Sequence, residues 1–188
     1  MPFSVELFFD PKSSVAVQQC GASLEKAGVP SIFSTLGASP HVSLAVFEQY
    51  NPERLHALLK KLAASYRPIP FRLSSLGTFF GKEGVLFLAP VVTDSLLGIH
   101  NWIHRALPKA VEGNWIYYLP GGWVPHCTLA IRLAPKKLVK GFEILRRKGV
   151  SIQGHYSHLA LVETHPRIKP IRLIYSIPFS HKKLSVGG

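Results

Sequence analysis

Two short phrases in this chain carry side chains suited to chemistry. Pro40-His41-Val42-Ser43-Leu44-Ala45-Val46 and Pro125-His126-Cys127-Thr128-Leu129-Ala130-Ile131 agree at four of seven positions, and their histidines lie 85 residues apart in a chain of 188. Strand side chains alternate between two faces, so residues i and i+2 share one. His41, Ser43 and Ala45 then face one way, and Val42, Leu44 and Val46 the other. In the second phrase His126, Thr128 and Ala130 share a face, opposite Cys127, Leu129 and Ile131. Each imidazole sits roughly 7 Å along the strand from its hydroxyl, and the alanine leaves that face roomy. Histidine titrates near neutrality, so two of them on opposite walls of a cleft can serve as base and acid in one turnover. Ser43 and Thr128 can donate hydrogen bonds to non-bridging phosphate oxygens, where charge builds up in phosphoryl transfer. This chemistry needs neither a metal nor another cofactor.

A third match, His155-Tyr156-Ser157, has no proline before it and no Leu-Ala after it. It reads as a coincidence. The duplicated long phrase is the specific signal.

The charge fits an anionic partner. Against 10 acidic residues stand 22 Lys and Arg, a formal +12. The excess is lopsided: residues 1–94 carry +1 and residues 95–188 carry +11. Nucleic acid comes first among such partners, and phosphorylated metabolites second. Cys20 and Cys127 make neither a disulfide framework nor a metal motif. The N-terminus lacks the basic and apolar regions of a signal peptide, and no apolar run is long enough to span a bilayer. A cytoplasmic monomer with no membrane partner is expected.

The elements that must position the phrases are readable from pattern. A strand at Ser4–Phe9 leads through Asp10-Pro11 into a helix to about Ala27, ended by Gly28. Residues 32–39 read as a loop or short strand. After the first histidine strand, Asn51-Pro52 opens a helix whose stripe is Leu55, Leu58, Leu59 and Leu62. Strands at 71–79 and 85–88 flank a turn carrying Lys82. Thr93 or Asp94 caps a helix to about Leu107, and the aromatic stretch 114–123 reads as partly extended. Beyond the second histidine strand, Pro135 opens a helix that Gly149 ends. Strands near 157–162 and 171–177 follow, then a basic tail from His181. Each half thus reads strand, helix, histidine strand, helix, strand. The expected architecture is α+β: one domain over 1–188 with an internal repeat, roughly 1–80 and 84–180. Two mainly antiparallel sheets flanked by helices would face each other across a cleft.

With these residues in place, the chain resembles the 2H phosphoesterases, in the branch of 2'-5' RNA ligases and RNA 2',3'-cyclic phosphodiesterases. That family is defined by paired His-x-Ser/Thr motifs, matched here by His41-Val42-Ser43 and His126-Cys127-Thr128. Glu6-Leu7-Phe8-Phe9, Phe71-Arg72-Leu73 through Leu76-Gly77-Thr78-Phe79, and Leu159-Ala160-Leu161-Val162-Glu163 resemble its other strands. The resemblance implies a bilobal pseudo-two-fold fold and a metal-independent phosphodiesterase acting on RNA termini or cyclic nucleotides. His41 and His126 would be catalytic, and Ser43 and Thr128 phosphate-binding. One departure stands out. Many bacterial members have Arg five positions after the second histidine, where this chain has Ile131. Arg132 comes next and by alternation shares the His126 face, roughly 20 Å along the strand.

Other readings compete. RNA ligation is the same phosphoryl transfer run backwards. A non-catalytic basic RNA-binding protein would use Trp115, Tyr117, Tyr118 and Trp123 for base stacking, but would not need both histidines. His100 and His104 are spaced as metal ligands on a helix, without the glutamate of a His-Glu-x-x-His site or a third ligand. Ser43 lacks the glycines of a nucleophile elbow.

Overall fold

The computed structural model describes residues 2–164 and 171–180. The expected basic tail lies outside them. Strand β1 (Phe3–Phe9) leads into α1 (Pro11–Lys26), then a short helix α2 (Ile32–Leu36) and β2 (His41–Phe47). A two-residue strand β3 (Gln49–Tyr50) precedes α3 (Pro52–Ser65), β4 (Ile69–Gly77), β5 (Gly84–Pro90) and α4 (Asp94–Ala106). The second half continues with β6 (Val111–Glu112), β7 (Cys127–Leu133), α5 (Pro135–Lys148), β8 (Ile152–Glu163) and β9 (Arg172–Pro178).

The helix boundaries have local causes. The Asp10 carboxylate accepts the Ser13 N–H at 3.0 Å, and the Asn51 side chain accepts the Arg54 N–H at 3.0 Å. Proline follows each cap, where its missing N–H costs nothing. Thr93 caps α4 through the Leu96 N–H. Gly149 ends α5 at φ 62°, a left-handed conformation that glycine takes without steric penalty. Residues 32–39 differ from expectation. Ser31 caps a single helical turn that Gly37 closes at φ 64°.

The two expected sheets are one. Its strand order is β2-β1-β8-β4-β5-β7, with β9 added on β8, and every pairing is antiparallel. The link is Ile69–Leu73 of β4 paired with Ile152–Tyr156 of β8. The remainder of β8 pairs with β1 and β9. That order is unchanged when read from the other end, if β1 is exchanged with β5, β2 with β7 and β8 with β4. The two histidine strands are therefore the two ends of the path. They pack against each other. Helices α1 and α5 pack together over β8 and β5, α3 packs against β9, and α4 against β2. Val5, Leu7, Val42, Leu44, Cys127, Leu129, Leu159 and Leu161 are fully buried in the core between these layers.

Candidate active site

Both histidine strands deviate from simple alternation at the same place. In β2, Val5 faces Ala45 while Glu6 faces Ser43, so Leu44 is an extra residue. In β7, Leu86 faces Ala130 while Phe87 faces Thr128, so Leu129 is extra. Each is a β-bulge, which inserts a residue and reverses the facing of the residues after it. The consequence corrects the sequence reading. Ala45 and Ala130 turn into the core at 0% exposure. Val46 and Ile131 take their place on the histidine side. Arg132 is exposed at φ 54° and does not share the His126 face.

His41, Ser43, His126 and Thr128 all line one cleft of about 220 Å³. Ser4 and Glu6 of β1 form part of its wall, along with Val46, Ile131, Trp115, Tyr118 and two residues of α2, Ile32 and Leu36. Thr164 and Ile171 reach it from the C-terminal side.

The histidines are anchored identically. His41 Nδ1 donates to Ser39 O at 2.7 Å, and His126 Nδ1 donates to Val124 O at 2.7 Å. A carbonyl only accepts, so each Nδ1 carries a proton, and in the neutral ring the lone pair is at Nε2. The duplicated proline explains the geometry. A residue before proline is held extended, which aims the carbonyl of Ser39 or Val124 at the ring two residues on.

The surroundings of the two rings differ. Glu6 is 3% exposed, accepts a hydrogen bond from Ser4 Oγ at 2.5 Å, and lies 3.6 Å from His41 Nε2. Burial raises its pKa, against the pull of His41 and Ser4. His126 instead meets the rings of Phe79 and Phe87, at centroid distances of 4.9 and 5.3 Å. Burial lowers its pKa, the Val124 carbonyl opposes this, and His41 adds to the lowering. Gly77 makes room for Phe87: a Cβ there would come within 2.3 Å of its ring.

The hydroxyl strand is braced from behind. Trp123 Nε1 donates to Ser43 O at 3.0 Å, and His104 Nε2 donates to Leu44 O at 2.9 Å. His100 Nε2 donates to Tyr118 O at 2.8 Å, and its ring stacks flat on Trp123 at 3.9 Å. His100 and His104 thus serve as a scaffold for the bulge. Among the described residues no group of three or more His, Cys, Asp or Glu is placed to hold a metal ion. The aromatic stretch is a loop with one 3₁₀ turn at Ile116–Tyr118 and not an extended segment. Trp115 and Tyr118 line the cleft, Trp123 is part of the brace, and Tyr117 is exposed.

The described residues place most of their positive charge away from the cleft. Among the described residues its lining has no Lys or Arg, and neither Lys82 nor Arg132 contributes. Much of the C-terminal excess sits on α5, as Lys136, Lys137, Lys140, Arg146, Arg147 and Lys148. Four more cations, Arg54, Lys61, Arg105 and Lys109, surround a separate groove of about 1050 Å³ between α3 and α4. His155 and Ser157 of the third match are not part of the cleft.

Sequence reasoning missed Glu6, Phe87 and the anchoring carbonyls. A signal existed for each: a lone charge inside an apolar strand, an aromatic at the matching place in β5, and a proline before both histidines.

The family model of the 2'-5' RNA ligase superfamily matches residues 12–167. The chain belongs to that superfamily. Among solved structures, this 2'-5' RNA ligase superfamily member is similar to TT0787 of Thermus thermophilus, at 17% identity and TM-score 0.63 over 95% of this chain and 98% of that one. It is also similar to E. coli LigT complexed with 3'-AMP, at 14% identity and TM-score 0.59 over 95% and 96%. Usb1 of Kluyveromyces marxianus aligns at 11% identity and TM-score 0.53 over 95% and 98%. No curated protein matches significantly. These likenesses establish the α+β 2H phosphoesterase fold, and the superfamily points to an enzyme acting on phosphodiester bonds. No helix among the described residues is long and apolar enough to cross a membrane.

Proposed function

We propose that this chain opens 2',3'-cyclic phosphates of RNA ends or nucleotides by two-histidine acid–base catalysis. The observation that carries the reading is the matched anchoring of His41 and His126 in one cleft, each with Nδ1 tied to the carbonyl two residues before it. The neutral imidazole takes a proton from water as its oxygen attacks phosphorus. The P–O bond to one ribose oxygen breaks, and the imidazolium gives that oxygen a proton. The product is a nucleoside monophosphate, and the two rings exchange protons with solvent before the next turnover. Ser43 and Thr128 donate to the non-bridging oxygens as charge grows there. LigT, whose fold is similar, has been crystallised with 3'-AMP, a nucleotide of the kind this reaction releases. Ligation remains the second reading, because the same centre can run the transfer backwards with a ribose hydroxyl in place of water.

The test is incubation with nucleoside 2',3'-cyclic phosphates, with and without chelator, following which monophosphate appears. Turnover unaffected by chelator is expected. No turnover, or turnover abolished by chelator, would overturn the reading.

A further inference from the structure

The two ends of the cleft differ at one pair of equivalent positions. Glu6 on β1 lies across from Ser43, and Phe87 on β5 lies across from Thr128. Exchanging β1 with β5 and β2 with β7 superimposes these two positions. One histidine therefore has a buried carboxylate beside it, and the other has an aromatic wall. An opposite charge within about 4–6 Å favours the charged form of a histidine, and apolar enclosure favours the neutral form.

We propose that Glu6 is the positioning residue that divides the labour of the pair, keeping the proton on His41 so that His41 acts as general acid and His126 as general base. This deepens the proposed function and rests on it. The distance suits the role. At 3.6 Å from Nε2, the carboxylate is within ion-pair reach but beyond a good hydrogen bond. The Nε2 proton is stabilised without being committed to Glu6, and it is free to pass to the departing ribose oxygen. Ser4 Oγ holds the carboxylate from the other side. His126, against Phe79 and Phe87, presents an unprotonated Nε2 to water.

Among the described residues, the other titratable groups facing the pair do not compete. Burial raises the pKa of Tyr118, and Glu6 adds to this. Burial raises that of Cys127 to about 12. Both stay neutral in the working range. Among the described residues no further charged side chain lines the cleft.

The test is ring-nitrogen NMR of the free enzyme across pH, for wild type and Glu6→Gln. As pH falls, wild-type His41 is expected to take up its Nε2 proton before His126 does. In Glu6→Gln the His41 transition should move down, with a smaller change at His126. In pH–rate profiles the alkaline limb should move down by the same amount while the acidic limb stays. That is a rate loss on the alkaline side, in kcat more than in KM. Glu6→Asp keeps the charge and should restore part of the shift. If Glu6→Gln does not fold, the wild-type order and the Glu6→Asp profile still decide. His126 protonating first, or an alkaline limb indifferent to Glu6, would overturn the proposal. A correct order in a chain that opens no cyclic phosphate would overturn the proposed reaction and leave the hold of Glu6 on His41 standing. A reversed order in an active enzyme would do the opposite.

Discussion

His41→Ala and His126→Ala should each cut turnover of a cyclic phosphate by about 10²–10⁴-fold, the worth of one acid–base role. Circular dichroism should find both variants folded, because neither ring is part of the core. Ser43→Ala or Thr128→Ala should cost less, since each removes one of two phosphate donors. The double histidine variant should fall no further than the worse single one if the pair acts as a unit. Normal turnover by His126→Ala would end the two-histidine mechanism. These four residues are readable in the sequence because their types are chemically distinctive and the phrase around them is repeated. Glu6 is harder to read. It stands only as the polar half of an alternating strand, and its meaning depends on which residue faces it from a strand 37 positions away.

At the scale of elements, the helix starts are legible because caps and prolines act within a few residues. The bulges are not. A strand pattern assumes two-residue alternation throughout, and only cross-strand pairing reveals the extra Leu44 and Leu129. Alternation therefore puts Ala45 and Ala130 on the wrong side and hides the cleft positions of Val46 and Ile131. The element that sets His126 is the β4–β5 pair, through Gly77 and Phe87. Gly77→Ala would drive a Cβ into the Phe87 ring, which in turn packs against Phe79 and His126. The variant is expected to lose turnover by at least tenfold, comparable to a misplaced catalytic group, while its Thr128-side donor stays intact. A normal rate in Gly77→Ala would mean that Phe87 does not set the ring.

At the scale of the whole molecule, the topology is partly legible. The repeat predicts two matching halves, but one strand pairing across the middle turns two sheets into one, and that pairing leaves no mark in either half alone. Charge is hard to place for a related reason: composition counts cations and does not locate them. Because the cleft lining lacks Lys and Arg among the described residues, KM for a cyclic mononucleotide should change little with salt. Binding of a longer RNA, measured by fluorescence anisotropy, should weaken steeply as salt rises through counterion release. Equal salt dependence for both ligands would place the cations at the cleft after all. Stability should also follow pH. His100 is 2% exposed, and its pKa is lowered from 6.5 to about 4, mainly by burial, with His104 adding and the Tyr118 carbonyl opposing. The unfolded chain takes up this proton before the folded one does, so the stability His100 contributes is complete above about pH 6.5 and is lost as pH falls toward 4. The span is worth roughly 3 kcal/mol. His104 and His126, also lowered, act in the same direction, and Glu6, raised, acts against them. Thermal melts of wild type and His100→Gln between about pH 4 and 7 should show a shallower slope for the variant.

Placing a histidine strand at the end of a sheet has a further cost. An uncovered edge is a template on which another chain can add a strand. In β2 the edge is occupied: Trp123 takes Ser43 O, His104 takes Leu44 O, the Trp115 N–H takes Val46 O, and the adjoining Glu48 N–H donates to Glu112 O. The residues that brace the hydroxyl strand therefore also guard the molecule against self-association. Removing the indole of Trp123 opens one rung of that edge, and the first symptom should be aggregation on storage, visible by light scattering before any loss of secondary structure.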